Sequence, residues 1–537
     1  MLSQIRKERT LFPYNSYLLI MKRYLYIIFS AFFLYANLSF LHTAALAQTD
    51  EPGWKQSCTS IIVGAQASTD ASVITSHTCD GKYRTWLSIE PAQEHRKGEM
   101  RKVYKNTMKT SCRNDSTSIE LAGTIPQVKH TFAYLNTAYP CLNEKQLGIG
   151  ETTWGGPDTL QNPNSMFLIE ELERLALERC STAREAVLMM GRLAEKYGYA
   201  DSGECLTIAD PKEVWFFEII GCGKDKTGAV WVAKRLPDEH VGVSANVPRI
   251  GAIEKNNPDN FLYSRNVKKV ALEYGLWDGK SEFKFWKVYK ADYARGRNYR
   301  ERDWFILNAL APSLGLTQEM EEIPFSVKPD KKVSVEDVFA LLRSTYESTE
   351  LDMCKNITIK DGQISPIANP WMTTTMRNTL NHIKPGTVEF QRTVSVAWCS
   401  YSTVIQLRAN LPNAVGGVCY LSLDNPGQSP HIPIFCGNTS LPEAYGQCGQ
   451  NHYDPNIALW QFRKANKLAT LAWQKTKDQF MDNVIKQQTF VTNEISKLDA
   501  EATSENLNAL TEKIHNEAVK QWSEMESQFW VAFGLGF

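Results

Sequence analysis

Lys55-Gln56-Ser57-Cys58-Thr59-Ser60-Ile61-Ile62-Val63-Gly64 carries more information than any other segment of this chain. From Thr59 to Gly64 it is apolar and β-branched, and it reads as a strand. Ala71-Ser72-Val73-Ile74-Thr75-Ser76 reads as a second strand, with the turn-like Ser68-Thr69-Asp70 between them. A cysteine at the head of such a hairpin has two chemistries. Inside a longer chain it is half of a disulfide or a small buried apolar residue. As the first residue of a chain it carries a thiol and a free α-amine on one framework, a nucleophile with its own base.

The residues upstream favour the second case. Met21-Lys22-Arg23 precedes an apolar stretch from Tyr24 to Phe40, and Ala45-Leu46-Ala47 follows. A basic start, an apolar middle and a small-x-small end describe a secretory signal over residues 1–47, with Met21 as its true start. Cleavage after Ala47 leaves 48–57 as a short propeptide. The rival reading is a signal anchor retained in the membrane. The polar stretch after Ala47 argues against it, so export to the periplasm or the medium without a stable membrane anchor is expected.

Composition excludes other classes. The 537-residue chain has 59 basic and 59 acidic side chains, so no net field draws it to nucleic acid or an anionic membrane. Twelve cysteines in an exported chain predict disulfides, with connectivity that spacing cannot give. No two of them have Cys-x-x-Cys spacing and no His-Glu-x-x-His occurs, so no metal and no cofactor is implied. Gly148 and Gly150 form a GxG, but no third glycine or helix start completes a dinucleotide fingerprint.

Periodicity supplies the rest of the framework. Residues 166–180 and 182–197 read as helices, with a hydroxyl N-cap for the second in Ser181-Thr182. Strands are expected at 213–220, 229–234, 240–245, 402–408 and 418–423, giving layered sheet and helix. Beyond about residue 454 the chain turns charged and helical. There Leu507, Leu510, Ile514, Ala518, Trp522, Met525 and Phe529 form one apolar stripe. That stripe packs on its own domain or forms the interface of a homo-oligomer.

Cys58–Gly64 together with Ser76-His77-Thr78-Cys79-Asp80 resembles the opening of the bacterial dipeptidase A family. These are N-terminal nucleophile (Ntn) hydrolases, related to penicillin V acylase and conjugated bile acid hydrolase. The likeness continues through Asn143-Glu144, Leu147–Thr152, Val241–Asn246 and Leu411–Val418, and so spans most of residues 58–445. It implies an α+β fold, the αββα four-layer sandwich, over 58–454, with 455–537 as a helical extension. It also implies an exported cysteine-type dipeptidase acting on small peptides, its propeptide removed autocatalytically. The alternative within the resemblance is an N-acyl amide hydrolase of the acylase type; a binding protein on the same scaffold is a third reading.

The resemblance carries over roles residue by residue. Cys58 would be nucleophile and base, and Asp80 the aspartate orienting its thiol and amine. Asn246 would donate its side-chain amide to the oxyanion, with a backbone N–H at Thr153 as second donor. Arg302, in Tyr299-Arg300-Glu301-Arg302-Asp303-Trp304, resembles a pocket arginine, and Arg300 competes for the same role. His77 stands where relatives commonly carry arginine, which leaves it as a pocket-lining residue for substrate.

Overall fold

The computed structural model describes residues 57–291, 300–498 and 500–534. The expected signal and all of the propeptide before Ser57 lie outside the described residues. Ser57–Val63 is a strand buried along its whole length, as is its partner Val73–Asp80. They pair antiparallel, with Ser57 opposite Asp80, Cys58 opposite Cys79 and Thr59 opposite Thr78. Burial on both faces explains why Thr59-Ser60-Ile61-Ile62-Val63 lacks a clean polar alternation. The polar members are bonded: Thr78 Oγ1 accepts from Thr59 N at 2.9 Å, and Ser76 Oγ accepts from Ile61 N at 2.8 Å.

This hairpin sits inside a seven-stranded antiparallel sheet. Its strand order is Ser326–Val327, Val241–Ser244, Ser57–Val63, Val73–Asp80, Cys399–Leu407, Gly417–Leu423 and Ile432–Phe435. A second, eight-stranded sheet includes Gly148–Trp154, Gly203–Ala209, Val214–Gly221 and Ala229–Arg235 as neighbours. The sheets face each other closely. Ser60 Oγ donates to the Glu151 carbonyl at 3.3 Å, and the Thr75 and Thr207 hydroxyls lie 2.8 Å apart.

That contact accounts for the GxG. A Cβ on Gly150 would stand 2.3 Å from the Ser76 carbonyl oxygen and 2.7 Å from Thr207 Oγ1. Glycine is there because two backbones meet.

Helices Ile169–Arg179 and Ala183–Tyr197 form where periodicity places them. The first starts three residues later than expected because Phe167 bridges to Tyr199. Thr182 caps the second by accepting from Glu185 N, and that helix lies against the strands Gly203–Ala209, Val214–Gly221 and Ala229–Arg235. On the seven-stranded sheet, Ala458–Ala469 and Ser504–Phe533 pack against Gly417–Leu423 and Ile432–Phe435. The fold is therefore α+β, built on two stacked antiparallel sheets with helices on each.

The apolar stripe at the carboxyl end is core. Leu507, Ile514, Ala518, Trp522, Met525 and Phe529 are all buried, and Trp522 Nε1 donates to Asn466 Oδ1 at 3.0 Å. The chain from the first strand to this last helix forms one compact unit. No helix among the described residues is long and apolar enough to cross a membrane.

The expected disulfides are absent. All twelve cysteines are free thiols, and all but Cys112 and Cys436 are buried. Apart from Cys58, the buried ones act as small apolar side chains spread over separate elements, a common use of unpaired cysteine.

Candidate active site

Cys58 is the second residue of its strand, 1% exposed and fixed at every backbone and side-chain atom that could react. Its N–H donates to Asn246 Oδ1 at 2.9 Å. Its carbonyl accepts from Arg302 Nη1 at 2.5 Å. Its Sγ lies 3.4 Å from Glu151 Oε2. Burial pushes the thiol well above its ordinary pKa, and the charges of Glu151, Cys79 and Asp80 push the same way. With Ser57 attached the group is a neutral thiol.

Asn246 follows the strand Val241–Ser244 and adopts a left-handed φ of 65°. Asparagine tolerates that conformation better than most residues, and backbone strain of this kind concentrates at working sites. The turn aims the amide back at Cys58: Oδ1 takes the Cys58 N–H while Nδ2 donates to the Thr153 carbonyl. Thr153 thus meets Asn246 through its carbonyl, and its hydroxyl donates to Glu151 Oε1 at 3.1 Å.

Arg302 opens the helix Glu301–Leu310 and is fully buried. Besides the Cys58 carbonyl it donates to Thr59 Oγ1 (2.9 Å), the Ala245 carbonyl (3.1 Å) and Asn246 Oδ1 (2.8 Å). Burial, then the nearby Arg392 charge, lowers its pKa to about 10, so it stays a cation at neutral pH. Arg300 instead donates to the Met320 and Glu321 carbonyls. It lines a cavity of about 340 Å³ with Val247, Arg249, Trp286 and Phe325. Of the two arginines only Arg302 reaches Cys58.

Asp80 is buried and opposite Ser57, but its carboxylate makes no hydrogen bond to Cys58. Oδ2 accepts from Arg392 Nη2 at 2.6 Å and from Thr78 Oγ1 at 3.0 Å. The same Arg392 nitrogen donates to Ser57 Oγ at 2.6 Å. Asp80 therefore touches the Ser57–Cys58 junction through Arg392. His77 lies on the face turned to the second sheet, with Nε2 3.3 Å from Glu151 Oε2.

Sequence reasoning missed two participants. Glu151 sits inside the quoted Leu147–Thr152 segment, and a carboxylate in a strand with no other charge was the available signal. Burial would raise its pKa, but the His77 ring, Glu204 and the Cys58 thiol beside it hold it below the ordinary carboxylate value. Its neighbour Glu204 is pushed well above that value by burial and by the Glu151 charge. Arg392 left no signal: it comes from an irregular segment 312 residues from Asp80.

The arrangement can hold a thiol, fix the peptide bond on its amino side, and present a cation and an amide to a carbonyl beside it. That is equipment for acyl transfer. Known proteins agree. A probable dipeptidase of Latilactobacillus sakei is 28% identical over 410 residues, covering 72% of this chain and 76% of that protein. One from Salmonella dublin is 26% identical over 426 residues, 77% and 86% of the two chains. Dipeptidase A of Lactobacillus helveticus is 21% identical over 418 residues, 72% and 77%. The pattern of Peptidase family C69 matches residues 57–486, beginning one residue before the cysteine around which the site is built. The chain is an enzyme, a cysteine peptidase, and it belongs to Peptidase family C69.

Proposed function

We propose that this protein is an exported dipeptidase of the Ntn-hydrolase type, working through Cys58 after the Ser57–Cys58 bond is cut. The observation that carries the reading is the double grip on Cys58: its N–H on Asn246 and its carbonyl on Arg302. Buried backbone groups need partners, and here two side chains distant in sequence supply them on either side of the thiol. The relatives named as dipeptidases support the substrate class.

The freed α-amine, with an ordinary pKa of about 7.7–8.0, would take the thiol proton. The sulfur would then attack the dipeptide carbonyl, with Asn246 Nδ2 released from Thr153 to stabilise the oxyanion. The second amino acid would leave with the proton, and water would hydrolyse the thioester. Before maturation no amine exists, and Glu151 Oε2 is the acceptor nearest the sulfur. The same thiol could attack the Ser57 carbonyl, whose side chain Arg392 holds, making removal of 48–57 autocatalytic.

Purified protein should cleave unblocked dipeptides and leave N-acyl amino acids intact, with Cys58→Ser reducing turnover to background. Cleavage confined to N-acylated substrates would overturn the dipeptidase assignment, and full activity in Cys58→Ser would overturn the nucleophile.

A further inference from the structure

We propose that Cys58 Sγ, His77 Nε2 and Glu151 Oε2 form a binding site for a borderline-soft divalent cation of the Zn²⁺ class, and that the bound ion silences the enzyme. The three donor atoms all lie within 4.8 Å of one another. Sulfur to carboxylate oxygen is 3.4 Å, and imidazole nitrogen to the same oxygen is 3.3 Å. A tetrahedral ion with bonds of roughly 2.3 Å to sulfur and 2.0–2.1 Å to nitrogen and oxygen separates its ligand atoms by about 3.3–3.6 Å. Both distances to the shared carboxylate oxygen are therefore at ligand spacing, and the sulfur and nitrogen lie within 4.8 Å of each other.

A second observation points to a ligand. His77 is 1% exposed, yet Nε2 has no hydrogen-bond partner, because its approach to Glu151 lacks the geometry of one. The ring is held edge-on by Tyr139 and Tyr401, with centroids 5.6 and 5.9 Å away, so the nitrogen stays aimed at the carboxylate and thiol. Glu151 Oε1 is occupied by the Thr153 hydroxyl, which leaves Oε2 for the ion. Thiolate, carboxylate and neutral imidazole together balance a double positive charge, so binding removes an uncompensated buried charge. The thiol proton passes to solvent as the sulfur–metal bond forms.

Silencing follows because the sulfur that binds the ion is the proposed nucleophile; that half rests on the functional reading, while binding does not. The test uses full-length purified protein stripped with a chelator and titrated with Co²⁺, then with Zn²⁺ as competitor. One equivalent of Co²⁺ should produce a near-ultraviolet thiolate-to-cobalt band, displaced by Zn²⁺, with dipeptide hydrolysis falling in step. Cys58→Ser should abolish the band. His77→Gln should weaken binding by more than the roughly 10–100-fold typical of outer-shell changes. Glu151→Gln serves in its place if that variant fails to fold by circular dichroism. Absence of a stoichiometric band, or an unchanged band in folded Cys58→Ser, would overturn the site. A band that behaves as expected in a protein with no metal-free peptidase activity would uphold the site and sink the functional reading instead.

Discussion

Asn246 shows how much one residue is asked to do. Its left-handed backbone, φ 65°, turns an amide that accepts the Cys58 N–H and one Arg302 hydrogen bond while donating to Thr153. Asn246→Ala should lower kcat by about 10²–10³-fold, the usual worth of one oxyanion donor, with KM changed far less. An equal fall carried wholly by KM would place the amide in substrate binding. Arg392 has a different burden, since it is the only ion-pair partner of buried Asp80 among the described residues. Arg392→Met should cost about 3–5 kcal/mol in urea denaturation, because it strands a buried carboxylate. A loss under 1 kcal/mol would contradict a structural role for this buried pair. Cys58, Asp80, Asn246 and Arg302 could be picked out as candidates because each lies in a short recognisable segment. Arg392 could not, because only tertiary folding brings an irregular loop to the hairpin. The choice of Arg302 over Arg300 likewise needed the helix start that turns one inward and leaves the other at a cavity rim.

Among elements, the central hairpin was readable from β-branched runs and a polar turn. The strand Gly203–Ala209 was not singled out, although it pairs along the full length of Gly148–Trp154. Buried on both faces, it shows neither alternation nor a helical period, the two patterns that single sequences reveal best. The close contact of the two sheets was equally hidden, and Gly150 is its marker. Gly150→Ala puts a methyl group 2.3 Å from the Ser76 carbonyl, against backbone that cannot swing aside. The variant should lose at least about 1–3 kcal/mol in thermal or urea unfolding. It should also lose activity, because Glu151 is the next residue. Wild-type stability and activity would contradict the packing described.

At the scale of the molecule, the change in character near residue 454 was plain in the sequence, but it marks no break in packing. Trp522 is bonded to Asn466 and buried in one core with residues of the two sheets. Buried carboxyls tie the layers together as well. Glu218, on the strand Val214–Gly221, accepts from the N–H groups of Arg249 and Ile250, just beyond Asn246. Burial raises its pKa from 4.5 to about 8. A raised carboxyl pKa means that the folded state keeps a proton the unfolded chain releases. Its contribution is complete below 4.5 and is lost as pH climbs towards 8. Glu218→Gln cannot titrate, so wild type should lose stability relative to this variant by about 1.4 kcal/mol per pH unit across that window. Parallel stability curves would show that Glu218 is ionised in the fold.

The account stands on Cys58 becoming a chain terminus. Mass spectrometry of the amino-terminal peptide, taken from catalytically active protein after iodoacetamide treatment, addresses this directly. The predicted peptide begins at an alkylated Cys58, and activity disappears in proportion to its labelling. Full activity in protein whose Ser57–Cys58 bond is intact would contradict it.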